Sequence, residues 1–117
     1  MMKRFVLVLS LAVLAGFAAA TVAVADEKSD AVARGAKLFA DATLGTNGKS
    51  CATCHGNGSG WAGMTRFPKL GLGKLRTLDQ AVQTCIVNPM AGKALAWDDQ
   101  RLTDLAVFTD AAYAPKK

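Results

Sequence analysis

Histidine and cysteine are scarce in this sequence, which has one histidine and three cysteines in 117 residues. A structural zinc site built on one Cys-x-x-Cys pair needs a second pair of ligands, and the chain does not supply one. Runs of lysine or arginine are also lacking, which argues against a nucleic-acid partner. No alternating strand pattern, internal repeat or Gly-x-x-x-x-Gly-Lys phosphate loop is present. These absences favour a small helical domain whose functional residues lie in a single motif.

That motif is Cys51-Ala52-Thr53-Cys54-His55. Cys-x-x-Cys-His is the attachment signature of c-type haem. Two thiols three positions apart on one turn can each form a thioether with a haem vinyl group, and the adjacent histidine is then held under the iron. We predict one covalent haem c, bound through Cys51 and Cys54, with His55 as the proximal iron ligand. A thioredoxin-type redox pair is disfavoured because the surrounding sequence has no βαβ pattern.

The first 25 residues have the composition of a secretory signal peptide. A basic start precedes an almost wholly apolar stretch over residues 5–20, and residues 23–25 form an A-x-A cleavage site. We predict a signal peptide over 1–25 and a haem domain over 26–117 that is exported to the periplasm, with no stable membrane insertion after cleavage. The alternative is an uncleaved anchor, because about 20 weakly apolar residues can just span a bilayer.

Three helices are predicted around the motif. The first runs from about residue 30 to 40 with Ser29 as its N-cap, and Gly35 inside it indicates a close crossing with the last helix. The second begins with a capping box over residues 77–80 and ends at about Asn88. The third begins near Asp98 or Asp99, one of which is its N-cap, and ends at Ala112. The fold class is therefore all-α.

The order of these features resembles a class I c-type cytochrome. Gly35 with Phe39, the Cys-x-x-Cys-His motif, the glycine loop at 56–60, the Pro-Lys-Leu segment at 68–70 and a final apolar helix carry the resemblance. It implies a small helical domain wrapped around one haem, with the first and last helices crossing at the glycine and the haem edge exposed. It also implies a methionine as sixth iron ligand from the loop before the last helix, where Met90 lies.

A second stretch departs from that pattern. Residues 77–79, Cys85, residues 90–93 and Leu95 are similar to a segment of thiosulfate dehydrogenases, dihaem enzymes that, like the SoxA-type sulfur-oxidising cytochromes, bind one iron through histidine and cysteine. A second haem motif is absent here. The resemblance makes Cys85 the first candidate for the sixth ligand and Met90 the second, with an open site as the third choice. An unpaired cysteine can also be apolar filler or an intermolecular disulfide partner.

The two ligands imply different functions. Methionine stabilises ferrous iron and suits a carrier, whereas an anionic thiolate stabilises ferric iron, lowers the potential and suits sulfur chemistry or a low-potential relay. The first hypothesis is a periplasmic monohaem electron carrier, not an enzyme, that exchanges single electrons with redox partner proteins. The alternatives are a haem enzyme or enzyme subunit that oxidises a sulfur compound such as thiosulfate, and a gas-binding haem domain.

Overall fold

The computed structural model describes residues 23–115. The predicted signal peptide over 1–25 falls almost wholly outside these residues, and the boundary at 25 stays a prediction. The chain divides into two compact units, residues 1–30 and 31–117, and the predicted haem motif lies in the second. Over the described residues, none of the helices has the length and apolar character that a bilayer span requires.

Helices make up most of the described chain. Two short 3-10 turns, at Ala42–Leu44 and Ser59–Trp61, and one hairpin of strands β1 (Lys69–Gly71) and β2 (Lys74–Arg76) separate them. Within the described residues the α-helices are α1 over residues 23–39, α2 over Cys51–His55, α3 over Leu78–Val87 and α4 over Gln100–Ala112. The predicted all-α class is confirmed, because the only sheet in the described residues is this two-stranded hairpin.

The predicted start of the first helix is wrong. Residues 23–39 are already helical, so Ser29 lies inside α1 and does not cap it. The reason is that residues 23–28 are mostly alanine and charged residues that tolerate helix well, and no proline or glycine interrupts them. A serine alone does not begin a helix when the residues before it are also helical.

The predicted starts of α3 and α4 agree with the structure. The Thr77 backbone N–H donates to Gln80 Oε1 at 3.1 Å, and the Thr77 hydroxyl accepts from the Gln80 N–H, which completes the capping box. The Asp99 carboxylate accepts from the Arg101 N–H at 2.9 Å and caps α4. Asn88 is the C-cap of α3, directly before Pro89.

The crossing of α1 and α4 occurs at Gly35, as the sequence predicts. A β-carbon on Gly35 would clash with the Asp104 carbonyl and with the Phe108 side chain. Beside this contact the Arg34 guanidinium binds both carboxylate oxygens of Asp104, at 2.9 and 3.0 Å. Helices α3 and α4 also pack together. The buried residues of the resulting core are Phe39, Cys51, Val82, Ile86, Met90, Leu102 and Leu105.

The hairpin is the element that the sequence did not reveal. Its strands are antiparallel, with Leu70 opposite Leu75, and the two turn residues, Leu72 and Gly73, have φ angles of 54° and 75°. Two-residue turns with both φ angles positive usually carry Asn-Gly or Asp-Gly. A leucine in the first turn position gives no such signal, and the strands have only three residues each.

Candidate haem-binding site

Hydrogen bonds stabilise both ends of the motif helix α2. Before it, the Ser50 backbone N–H donates to the Thr53 hydroxyl at 2.9 Å, so a residue between the two cysteines secures the helix N-terminus. After it, Gly56 takes a φ of 57° and its N–H donates to the Ala52 carbonyl at 2.9 Å. This turn ends the helix directly after His55 and changes the direction of the chain.

The motif opens onto an apolar cleft of about 210 Å³. All four helices and the segment between α2 and β1 supply lining residues. Apart from two thiols, one imidazole and two hydroxyls, the lining groups are hydrocarbon or aromatic. The lining residues are Phe39, Cys51, His55, Trp61, Phe67, Leu78, Ala81, Val82, Cys85, Leu105, Thr109 and Tyr113.

All three cysteines lie near this cleft, in different degrees of exposure. Cys51 is buried, Cys54 is exposed and Cys85 is half-buried. Burial raises the pKa of the Cys51 thiol to about 11, and the neighbouring Cys85 and Cys54 thiols add to the effect. Burial, and then the charge of Cys54, also raise the pKa of Cys85. Before any cofactor binds, the raised pKa values of Cys51 and Cys85 therefore keep these two thiols protonated at neutral pH.

An aromatic stack forms the part of the cleft next to the motif. The His55 ring lies 4.7 Å from the Trp61 ring, and Trp61 stacks on Tyr113 at 5.6 Å and 6°. Phe39 meets the edge of Trp61 at 5.9 Å. Sequence reasoning missed Trp61 and Tyr113 as site residues. The one available signal was a tryptophan six positions after the motif, in a segment rich in small residues.

The two candidate sixth ligands lie in different environments. Cys85 lines the cleft from α3, together with Cys51 and His55. Met90 does not line the cleft; it is 2 % exposed and packs in the core beside Ile86 and Leu102.

Hydrogen bonds hold the Met90 loop in this position. The Thr46 N–H donates to the Met90 carbonyl at 2.9 Å, and the Thr46 hydroxyl donates to the Ala91 carbonyl at 2.6 Å. The Asn47 side-chain amide donates to the Pro89 carbonyl at 2.9 Å. A β-carbon on Gly45 would clash with Met90, so the two loops approach each other closely. The methionine is thus a core residue of the loop that precedes α4.

The residues present fit haem c. The cleft walls are apolar, as a porphyrin requires, and Cys51 and His55 of the motif line the cleft, while Cys54 of the same helix is exposed. Within residues 23–115 no three histidine, cysteine, aspartate or glutamate side chains are grouped so as to hold a bare metal ion. The donor set therefore suits iron in a porphyrin rather than a zinc site.

A small helical domain with this cleft and this motif is a c-type cytochrome, which binds haem c covalently and transfers electrons to and from redox partners. Comparison with known families gives the same class: residues 34–112 match the family model described as the SoxA/TsdA cytochrome c domain, and the chain belongs to this family. No curated protein and no solved structure matches the chain.

Proposed function

We propose that this protein is an exported monohaem electron carrier of the periplasm. Cys51 and Cys54 attach the haem, and His55 is its proximal ligand. The observation that carries the proposal is the composition of the cleft. No lysine, arginine, aspartate or glutamate is among its described lining residues. Such a cleft holds and shields a porphyrin but offers no charged group that would bind or activate an anionic substrate.

Cys85 is proposed as the sixth iron ligand. It is the one cysteine outside the motif, it lines the cleft, and its helix α3 packs against α4. Met90 stays the alternative, but its side chain is packed in the core and its loop is bound to residues 45–47. A thiolate ligand stabilises ferric iron, so the protein is expected to be a low-potential carrier.

The second candidate function is a haem enzyme or enzyme subunit in the oxidation of a sulfur compound. The family match and the position of Cys85 favour it. Lys93, a base in the segment that resembles thiosulfate dehydrogenases, lines a separate surface groove with Asp99 and Arg101 and not the haem cleft. A gas-binding domain, the third candidate, requires an open distal side and therefore a Cys85 that does not bind iron.

The optical and electron paramagnetic resonance spectra of the purified ferric protein test these proposals. A low-spin thiolate signature is expected. A methionine–iron charge-transfer band identifies Met90 as the ligand, and a high-spin spectrum identifies an open site. Thiosulfate added with ferricyanide as acceptor then separates carrier from enzyme, because a carrier gives no turnover above the uncatalysed rate. Sustained turnover contradicts the carrier proposal.

A further inference from the structure

The hairpin of β1 and β2 points its strand leucines to solvent and two of its three cations toward the domain. In the observed register Lys69 is opposite Arg76, and Leu70 is opposite Leu75. Since side chains alternate along a strand, the two leucines share one face and the two cations share the other. Leu70 and Leu75 are 79 % and 66 % exposed. An antiparallel sheet with one solvated face normally shows the reverse arrangement.

Contacts with the domain fix this orientation. Lys69 Nζ donates to the Tyr113 hydroxyl at 2.8 Å and lies 4.6 Å from the centres of the Phe67 and Tyr113 rings. On the other strand, the Arg76 guanidinium donates to the Thr84 hydroxyl. The charged face is therefore bound to the domain, and the leucine face cannot turn inward without the loss of these contacts.

The turn adds a third exposed leucine. Leu72 is 80 % exposed and has a φ of 54°, a conformation in which its β-carbon is strained. A glycine there would relieve the strain, and no burial of the leucine offsets it. Three clustered apolar side chains that give the isolated fold no benefit indicate an interaction surface. We call Leu70, Leu72 and Leu75 the leucine face.

The leucine face lies beside the haem cleft. Phe67 and Ala81 line both this cleft and a groove that includes Leu70, Leu72 and the hairpin backbone. Tyr113, which Lys69 contacts, is also a cleft residue. A protein that covers the leucine face therefore lies next to the edge of the cleft.

The charged residues of the segment that contains the hairpin all have one sign. Residues 42–78, between Asp41 and Asp79, contain no acidic residue. The cations in this segment are Lys49, Arg66, Lys69, Lys74 and Arg76. Arg66 is paired with Asp110, whereas Lys69, Lys74 and Arg76 lie on the hairpin. The positive charge of the hairpin attracts an acidic partner and repels a second copy of itself.

We propose that the leucine face, together with the positive charge of its hairpin, is the docking surface for an acidic redox protein with an apolar recess among its carboxylates. The proposal rests on the proposed function, because electron exchange at this cleft requires bound haem. The leucines enter the recess, the exposed Lys74 meets the carboxylates, and the contact holds the partner beside the cleft. A second copy is disfavoured by its like charge, and an anionic bilayer is distinguished by the experiment.

The test uses the haem-loaded protein and an acidic blue-copper protein of net negative charge as the probe. Both are kept reduced at low salt so that no electron moves, and the dissociation constant is measured by titration calorimetry. Leu70→Ser/Leu75→Ser should weaken binding about tenfold, because two apolar side chains no longer leave water on docking. Met64→Ser is the control, since Met64 is 52 % exposed but lies outside the hairpin. The Met64→Ser variant should bind the copper protein with the same dissociation constant as the parent.

Two further measurements separate docking from damage to the haem site. Oxidation by ferricyanide, a small anion that needs no leucine contact, should proceed at the parent rate in the double variant. Lys74→Glu keeps the leucines and should also weaken binding of the copper protein, and the difference from the parent should shrink at high salt. Equal thermal midpoints for all variants show that the exposed leucines do not support the fold.

Three outcomes overturn the docking surface. The proposal is wrong if the parent and the double variant have equal dissociation constants. It is also wrong if the double variant loses ferricyanide oxidation rate as strongly as it loses binding, because that result indicates a disturbed haem site. Leucine-dependent binding to phosphatidylserine vesicles with unchanged affinity for the copper protein identifies a membrane as the occupant instead. Failure of the proposed function is separate: the parent would then lack covalent haem absorbance, which is measured before any titration.

Discussion

Gly35 and Phe108 meet where α1 and α4 cross, so closely that a β-carbon on Gly35 would lie 2.5 Å from that of Phe108. The Asp104 carbonyl approaches the same point even more closely. Real β-carbons do not make such contacts, so any other residue at position 35 must push the two helices apart. Phe39 and Leu105, on the same two helices, line the haem cleft. The crossing therefore helps to set the width of the cleft.

Gly35→Ala should lower the free energy of unfolding of the haem-loaded protein by about 1–3 kcal/mol, which is typical of overpacking. Gly35→Leu should have a larger effect. Gly60→Ala is the matched control, because a β-carbon there meets nothing within 4 Å. The measurement is thermal or denaturant unfolding followed by circular dichroism. Coincident transitions for Gly35→Ala and the parent would contradict the close crossing.

Asp104→Asn should remove a pH-dependent part of the stability. The Arg34 guanidinium, followed by the Gln100 side chain, hydrogen-bonds Asp104 and holds the pKa of this buried carboxyl below its usual value. A depressed folded pKa stabilises the native state above the ordinary carboxyl pKa. This contribution is lost as the pH falls through about 4 toward the lower folded value.

At pH 7 the Asp104→Asn variant should be less stable than the parent by about 1 kcal/mol, because Arg34 is part-exposed and regains water. Unfolding of both proteins from pH 7 to pH 2 measures the effect. The difference should shrink as the pH falls. A difference that stays constant over this range means that the ion pair does not contribute as described.

Cys51→Ala/Cys54→Ala should abolish covalent haem attachment, since no other pair of thiols has the required spacing. Denaturing gels stained for haem peroxidase activity measure this directly. Cys85→Ala is the control and should retain a stained band. A stained band from the double variant would refute the assignment of the attachment site.

Cys85→Ala and Met90→Ala should differ in both spectrum and stability. If the Cys85 thiolate binds iron, its removal eliminates the thiolate signature and raises the midpoint potential, because an anionic donor that favoured ferric iron is gone. Met90→Ala should leave the spectrum unchanged but destabilise the fold by about 2–5 kcal/mol, since Met90 is fully buried in the core.

Redox titration and thermal unfolding of both variants beside the parent decide between the two ligands. If Met90 binds iron, the pattern is reversed: Met90→Ala lowers the potential and gives a high-spin ferric spectrum, while Cys85→Ala alters only packing. That result would exclude the proposed low-potential carrier.

Leu72→Gly should raise the free energy of unfolding by up to about 1 kcal/mol. The substitution relieves a positive φ angle and removes a side chain that buries nothing. Leu70→Gly is the comparison, because Leu70 lies in an extended strand where glycine only adds flexibility, and it should destabilise slightly. Chemical denaturation of both variants tests the pair of expectations. A destabilised Leu72→Gly variant would show that the turn leucine supports the isolated fold.

The features that the sequence by itself determined depend on residues close together in the chain. The Cys-x-x-Cys-His motif, the capping box at Thr77 and Gln80 and the end of α3 before Pro89 each involve neighbours within a few positions. Their chemistry or backbone geometry is local, so the residue types suffice to predict them. Gly35 is a partial case. A glycine inside a helical pattern predicts that another segment comes close, but the sequence does not say which distant residue that segment contributes.

Only the tertiary structure decided which distant residues meet. The Arg34–Asp104 pair joins residues 70 positions apart, and no spacing rule predicts it. Met90 and Cys85 are five positions apart, yet packing places one in the core and the other on the cleft wall. The hairpin exists although its turn lacks the usual residues, because Lys69 and Arg76 are held by side chains of Tyr113 and Thr84. Such outcomes depend on the balance of burial and hydrogen bonding over the whole domain, which the order of residues in one segment does not reveal.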